Sequence, residues 1–356
     1  MSTPGSSTRS GSRSSNPEYV TARVRARRGA LFGDDEYSKL VRMGPAEIAR
    51  YMEESEYERE INELGTRHSG VDLIEYALNR NLARHFDALL DFAEGQLYGL
   101  IARYLRKFDA WNAKTVIRGV YTDTDKEAIE TDLIRAGEFD DALVGRLLDA
   151  GTVEDVVTTL NDTIFGTVVD DAFEDFQESD TLVPLENAID RAFYEQLLTE
   201  LPTGEAVGLY REFLEAEIDF RNARNALRLA RSGADIDPGE YFIQGGRLFS
   251  ASEMTTLVAN TDELVTRIRE SIYGDQLSEA LEELEAADSL IDFERALESA
   301  LLRYSQQLGN VHPLSISPIV AYILMKEREV TNIRAIARGR EAGLSEAAIE
   351  QELVIL

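Results

Sequence analysis

The stretch Asp109-Ala-Trp-Asn112-Ala-Lys114-Thr-Val-Ile-Arg118-Gly119 decides the fold, because its frame of polar residues occurs three times. An acid, an asparagine, a basic residue and an arginine keep the same order and spacing in every copy. The acids lie 219 − 109 = 110 and 329 − 219 = 110 residues apart. Four matched positions at one interval indicate an internal triplication. The other two copies read Asp219-Phe-Arg-Asn222-Ala-Arg224-Asn-Ala-Leu-Arg228 and Glu329-Val-Thr-Asn332-Ile-Arg334-Ala-Ile-Ala-Arg338-Gly339.

The interval predicts one helical domain for each copy, since 356 residues are enough for two or three domains of ordinary size. The sequence after Ala128 returns after Ala348, so the chain ends where a fourth copy would begin. We therefore expect a closed set of three copies and not an open solenoid. The predicted division is a disordered Ser/Gly/Arg tail over residues 1–18, then helical repeats over 19–135, 136–245 and 246–356.

The composition is strongly acidic, with 66 acidic and 37 basic residues and a formal net charge of −29. A disordered acidic chain would lack the 44% of hydrophobic residues found here, so we expect a folded protein with an acidic surface. A halophilic cytoplasm suits such a surface, because molar salt shortens the Debye length to about 3 Å. The alternative is an acidic protein without a salt requirement. The excess of acid argues against nucleic acid as a partner.

Targeting and redox signals are few. The chain has no cysteine, which excludes disulfides and thiolate chemistry and fits an intracellular protein. No apolar run approaches the ~20 residues that span a bilayer, so the chain is not expected to cross a membrane. The arginine-rich N-terminus superficially resembles an organelle transit peptide, but a plain tail joined to a first helix is the preferred interpretation.

Hydrophobic residues recur mostly at helical spacing, and strand-like alternation is nearly absent, so the predicted fold class is all-α. Each copy is expected to begin with two short helices. A long amphipathic run from Val71 to Arg118 predicts two long helices, or one kinked near Gly95 and Gly99, with Gly119 ending the last one in a left-handed cap. Further long helices are predicted over 184–201, 205–231, 291–308 and from Ser317 to Gly339.

A search for catalytic groups finds little. His68, His85 and His312 are scattered without zinc spacing, and each is expected on the surface or in a loop. Phosphate-loop, dinucleotide and nucleophile-elbow motifs do not occur. Carboxylate clusters such as Glu53-Glu54 and Asp170-Asp171 are better explained as solvated faces in so acidic a chain. We therefore predict no catalytic residues, no metal site and no cofactor.

The repeated frame remains as the candidate site. A helix turns about 100° per residue, so the acid and the asparagine share one strip while the two basic residues share the roughly opposite one. The structural interpretation is that these groups pair with backbone ends of adjacent helices and brace the next copy. The functional interpretation is that three copies surround an axis and present them to a partner. The candidates are Asp109, Asn112, Lys114, Arg118, Asp219, Asn222, Arg224, Arg228, Glu329, Asn332, Arg334 and Arg338.

These frames, with the N-terminal Tyr19-Val-Thr-Ala-Arg23-Val-Arg25, resemble the family of the C subunits of archaeal A-type ATP synthases, relatives of the d subunit of eukaryotic V-ATPases. The resemblance runs from about Tyr19 to Leu356, and the acid excess fits a haloarchaeal member. It implies a funnel of three helical domains about a pseudo-threefold axis. It also implies a non-catalytic central-stalk subunit, one copy per complex, which binds the shaft subunits and the membrane rotor ring at the cytoplasmic face of the membrane.

Two other classes of protein are alternatives to the one that this resemblance implies. A free-standing helical scaffold for soluble partners would share the repeats and the lack of catalytic motifs. An enzyme would need a bound metal or nucleotide that no motif in the sequence predicts.

Overall fold

A computed structural model gives the fold of the chain. It describes residues 14–199, 201–202, 205–232, 237–287 and 290–354. Regular structure in these ranges is helical without a strand, which confirms the all-α prediction. Residues 1–13 of the expected tail lie outside the described ranges.

The helices carry the following bounds in chain order. They are α1 Pro17–Arg28, α2 Asp34–Leu40, α3 Pro45–Glu53, α4 Glu58–Leu64, α5 Gly70–Phe92, α6 Gly95–Leu105, α7 Lys107–Tyr121, α8 Lys126–Asp132, α9 Asp141–Leu148, α10 Val153–Leu160, α11 Gly166–Ser179, α12 Val183–Thr199, α13 Glu205–Ser232, α14 Ala251–Leu257, α15 Thr261–Arg269, α16 Gly274–Ala287, α17 Leu290–Val311, α18 Ser317–Glu341 and α19 Glu346–Glu350, with a 3₁₀ helix at Pro238–Tyr241.

The order of elements repeats along the chain. Pairs of short helices, α2 and α3, α9 and α10, and α14 and α15, lie near the start of the three expected copies, and in the first copy α1 precedes the pair. Further helices follow each pair, and α7, α13 and α18 are the ones that carry the repeated frame. The division of these copies into three domains stays a prediction.

By internal contacts the chain divides into two compact units. Within the described residues, unit one comprises residues 14–115, 123–148 and 309–354, so it combines early and late parts of the sequence. Unit two comprises Val116–Thr122 and Asp149–Leu308. Its core includes Phe220, Met254 and Phe293, all buried.

The long run after Gly70 is divided more finely than predicted. Ala93 and Glu94 are extended, and Gly95 has a φ of 61°, which glycine adopts without steric cost. A second break lies at Arg106, between α6 and α7. Three helices therefore replace the two expected, and Gly99 lies inside α6.

The expected left-handed cap at Gly119 is wrong. Helix α7 continues to Tyr121, and the positive φ of 53° belongs to Asp123. The ring of Tyr121 packs edge to face on Phe176, with centroids 6.0 Å apart, and this contact favours the extra turn. In the third copy the left-handed residue is Gly343, four residues beyond Gly339.

Ordered chain begins before the predicted boundary at Tyr19. Asn16 donates from its side chain to the carbonyl of Phe92 (2.8 Å) and accepts from the amide of Glu94 (2.9 Å). Ser15 Oγ accepts from the amide of Leu97 in the first turn of α6. That amide has no acceptor inside its own helix, so Ser15 caps α6 from elsewhere in the sequence.

Among the described helices, none combines the length and the apolar composition that a bilayer crossing demands.

Candidate functional site

The first repeated acid, Asp109, is buried at 2% exposure and holds the chain segment ahead of α9. Its carboxylate accepts from the backbone amides of Glu138 (2.8 Å) and Phe139 (3.0 Å). The approach is so close that a Cβ added at Gly137 would lie 2.1 Å from Asp109 Oδ1. Glycine is required there because of this contact.

The second acid repeats the arrangement in unit two. Asp219 is fully buried and accepts from the amides of Arg247 (2.7 Å) and Leu248 (2.8 Å), just ahead of α14. A Cβ at Gly246 would again lie 2.1 Å from the carboxylate. Asp219 also accepts from the hydroxyl of Tyr273, which opposes the rise in its pKa caused by burial.

The third acid, Glu329, reaches back to the beginning of the chain. Its carboxylate accepts from the amide of Phe32 (2.6 Å), ahead of α2, and from the hydroxyl of Tyr57 (2.6 Å). Lys326 is fully buried and donates to Glu329 (2.5 Å) and to Tyr57 Oη (3.0 Å). Burial lowers the pKa of Lys326, and the charge of Glu329 opposes that shift.

We call each repeated acid, Asp109, Asp219 or Glu329, together with the groups that its carboxylate binds, a joint. The first joint lacks the tyrosine hydroxyl that the other two contain. Residues Ser55 to Tyr57 correspond to Thr163 to Phe165 and to Ser271 to Tyr273, so the middle copy carries a phenylalanine where the others carry tyrosine. Burial raises the pKa of Asp109 from 3.8 to about 7, and the amides of Glu138 and Phe139 only partly offset the rise. The three acids therefore hold equivalent positions but have different hydrogen-bond partners.

The three asparagines pair with one backbone position in the following segment. Asn112 donates to the carbonyl of Ile134 (2.8 Å) and accepts from the amide of the same residue (2.8 Å). The Asn112 side chain and the Ile134 backbone are both buried, and a buried polar group without a hydrogen bond would lower the stability of the fold. The same two-bond pair joins Asn222 to Ile243 and Asn332 to Val354.

The first basic residues of the frame, Lys114, Arg224 and Arg334, are all half-buried. Arg334 donates to Asn79 Oδ1 on α5 (2.7 Å). Burial, with the neighbouring Arg221 and Arg228, lowers the pKa of Arg224 to about 10, and its Nε has no hydrogen-bond partner in the described structure. The three positions therefore share partial burial along their helices.

The second basic residues each bind a glutamate near the start of another long helix. Arg118 donates two bonds to Glu186 (2.6 and 2.7 Å), and Arg228 donates two to Glu294 (both 2.5 Å). Arg338 binds Glu75 on α5. The arginine side chains are about half exposed, so solvent screens these pairs.

Sequence reasoning missed several members of these joints. Tyr57, Lys326 and the three glutamates were not predicted. A signal existed, because Glu75, Glu186 and Glu294 recur at almost the repeat interval. Lys326 has a basic counterpart at Arg106 in the first copy but an alanine, Ala216, in the second, so the repeat signal for this position is incomplete.

The prediction that every histidine lies on the surface or in a loop is wrong for His85. It is 1% exposed in α5, and its Nδ1 lies 2.5 Å from Tyr322 Oη and 3.2 Å from an Arg27 nitrogen. Its position three residues after Leu82 places it on the buried stripe. Burial, then the charges of Lys326 and Arg27, lower the pKa of His85 to about 2, so the ring is neutral.

The described residues hold no group of three or more histidine, aspartate or glutamate side chains arranged for a metal ion.

Comparison with known proteins identifies the class. Residues 20–352 match the family model described as ATP synthase (C/AC39) subunit. The chain belongs to this family, which confirms the resemblance seen in the sequence.

Individual relatives agree. The chain is 70% identical over 342 residues to the C subunit of the A-type ATP synthase of Haloferax volcanii, covering 96% of this chain and 98% of that one. It is 66% identical to the same protein of Haloquadratum walsbyi, with 96% and 99% covered. Against that of Methanococcoides burtonii the identity is 36%, with 96% and 95% covered. The relatives of high identity are haloarchaeal, which fits the acidic composition.

Proposed function

We propose that the chain is a non-catalytic central-stalk subunit of a rotary A-type ATP synthase. In this role it links the central shaft to the membrane rotor ring and transmits torque between proton translocation and ATP synthesis. It acts as one copy per complex, bound peripherally at the cytoplasmic face of the membrane through protein partners. Membership of the family and the names of the relatives support this proposal.

The proposal includes a funnel of three domains about a pseudo-threefold axis. The observation that carries it is the repeated joint, in which an acid and an asparagine close on the segment that follows. The third joint completes the set, because Glu329 binds Phe32 and Arg338 binds Glu75, both in the first copy. Such closure is expected of a ring of copies and has no use in an open array.

A subunit that transmits torque needs rigid contacts between its parts. The buried hydrogen bonds of each joint can provide this rigidity. Exposed ion pairs contribute little in molar salt, whereas buried hydrogen bonds are poorly screened. We therefore expect shaft and ring to bind mixed apolar and hydrogen-bonding surfaces, with the acidic exterior facing solvent. A single protein that meets a symmetric ring needs different contacts from each copy, so divergence among the joints is expected.

Charge reversal tests whether the arginines of the frame carry coupling. Arg118→Glu, Arg228→Glu and Arg338→Glu are each placed in the complex, and proton pumping driven by ATP hydrolysis and shaft pull-down are measured. The matched controls exchange the charges, as in R118E/E186R. If the charge exchange restores the coupling that the single reversal has lost, the arginine acts through its glutamate partner. If the exchange does not restore coupling, the arginine contacts the shaft directly. Full coupling in all three single variants would contradict the role proposed for these arginines.

Co-purification separates the stalk role from a free scaffold. The tagged chain is recovered from washed membranes in molar KCl, and its companions are identified by mass spectrometry. The stalk role requires head and ring subunits together in near-equal amounts. Recovery with soluble partners alone would favour the scaffold and overturn the proposed function.

A further inference from the structure

Helix α1 is basic in a strongly acidic chain. Its twelve residues contain four arginines and only one acid, Glu18. Between Met1 and Gly33 no other acid occurs, while the whole chain carries a net charge of −29. The first helix therefore presents a charge opposite to that of the protein as a whole.

Three of these arginines, Arg23, Arg25 and Arg28, are exposed. Arg23 contacts the hydroxyl of Tyr19 (3.1 and 3.2 Å) and lies over the rings of Tyr19 and Phe92. No carboxylate among the described residues pairs with Arg25 or Arg28. Some exposed arginines elsewhere, such as Arg118 and Arg228, bind a carboxylate with two hydrogen bonds.

The helix that carries them is held firmly. Val20 and Val24 are buried beneath it. Arg27 binds His85 and stacks on Phe92, with its guanidinium carbon 5.2 Å from the ring centroid. Asn16 fixes the start of α1 to the end of α5. The exposed guanidinium groups are thus presented from a fixed support, which lowers the entropic cost of binding.

Helix polarity accounts for part of this pattern. Arg25 and Arg28 lie in the last turn of α1, where positive charge favours the helix dipole. Arg23 lies outside that turn and is exposed as well. Helix α15 also ends with two arginines, yet there Arg267 lies 3.8 Å from the carboxylate of Glu253. The dipole therefore explains cations at the end of α1 but not their lack of carboxylate partners.

We propose that Arg25 and Arg28, which lie about 60° apart around α1, form a docking surface for an acidic segment of another protein, a short Asp/Glu-rich helix or loop. Guanidinium groups bind carboxylates in a bidentate manner, and a docked segment shields these pairs from solvent, so salt screens them less than it screens exposed pairs. A short segment faces only α1, whereas an extended anionic surface, such as a membrane or a nucleic acid, would also face the acidic remainder of the chain.

The test is photo-cross-linking in the assembled complex on membranes in molar KCl. The partner is sought in this complex because the inference rests on the proposed function. Ala26 is exposed on α1 and is replaced by p-benzoylphenylalanine. We expect cross-links to an Asp/Glu-rich peptide of a neighbouring protein in the complex. In R25E/R28E the yield of that peptide should fall about tenfold or more, since charge-assisted bonds are lost and repulsion is added. In the charge-neutral R25Q/R28Q the loss should be smaller.

The control variant R267E/R269E makes the same change of charge in the last turn of α15 and should leave the cross-link unchanged. Cross-links to lipid alone, no cross-link, or an unchanged yield in R25E/R28E would each overturn the docking surface. If the chain co-purifies with head and ring subunits but gives no such cross-link, only this inference is contradicted. If the chain is absent from the complex, the proposed function is contradicted.

Discussion

Lys326 is the residue on which the third joint depends most. Its ammonium group is fully buried and has two oxygen partners, Glu329 Oε1 and Tyr57 Oη. Lys326→Met leaves the Glu329 carboxylate buried without a counter-charge. The free energy of unfolding should fall by about 3–5 kcal/mol, measured by urea denaturation in molar KCl.

A paired variant checks the cause of that loss. K326M/E329Q removes both charges and keeps similar volumes, so it should recover a substantial part of the stability. Equal destabilisation of the single and the double variant would show that lost packing, and not an unpaired charge, is responsible.

Asp109 makes the first joint sensitive to pH. Its pKa is raised from 3.8 to about 7 in the folded chain, so the folded state holds a proton that the unfolded state releases between those values. Stability from this group is therefore present at low pH and is lost as pH rises toward 7. The difference in unfolding free energy between the natural chain and Asp109→Asn should fall by a few kcal/mol, to order of magnitude, from pH 5 to 8. A difference that stays constant across this range would contradict the assignment.

At the scale of the element, a close approach holds α7 to the segment ahead of α9. Gly137→Ala would place a Cβ 2.1 Å from Asp109 Oδ1, so helix or segment must shift, at a cost of about 1–3 kcal/mol. Gly145→Ala is the matched control, because its Cβ meets open space in the helical α9. It should gain about 0.5–1 kcal/mol. The melting temperatures of both variants are measured in the same buffer. Equal destabilisation by the two substitutions would contradict the close approach of Gly137 to Asp109.

Local patterns determine most elements here, and the misses have physical causes. Apolar periodicity and the punctuating Gly and Pro residues predicted the short helix pairs and α13. Gly119 was misassigned because the contact of Tyr121 with Phe176, distant in sequence, favours a further turn. The side-chain partner of His85, Tyr322, lies more than two hundred residues away, and no local pattern can reveal that contact.

For the candidate site, the repeat interval selected the frame residues, and pairing with backbone groups was one of two interpretations, but the individual partners were not predicted. All twelve frame residues were found from spacing alone. Their partners are mostly backbone groups, such as those of Ile134 and Val354, which leave no mark on residue identity. Whether any frame residue also touches the shaft stays a prediction.

At the scale of the whole molecule, the net charge of −29 makes stability depend on salt. Lowering KCl from 1 M to 0.1 M lengthens the Debye length from about 3 to about 10 Å, so acidic side chains repel one another over greater distances. The melting temperature should drop along this series. A parallel series at constant 0.1 M KCl with added sucrose separates charge screening from general stabilisation of the folded state. A melting temperature that does not change with KCl would contradict the halophilic interpretation.

Unit one has a consequence for how the chain is made. Its N-terminal part leaves the ribosome first, yet the helix that covers α1 and α5, α18, begins only at Ser317. Until α18 has been synthesised, apolar residues of α1 and α5 such as Val20, Ile74 and Phe86 lack the helix that packs against them in the folded chain. Unit two is nearly continuous in sequence and can fold during this delay. A nascent chain stopped near residue 308 should therefore keep a chaperone on its N-terminal third and release it from its middle, which ribosome profiling of chaperone-bound chains can resolve.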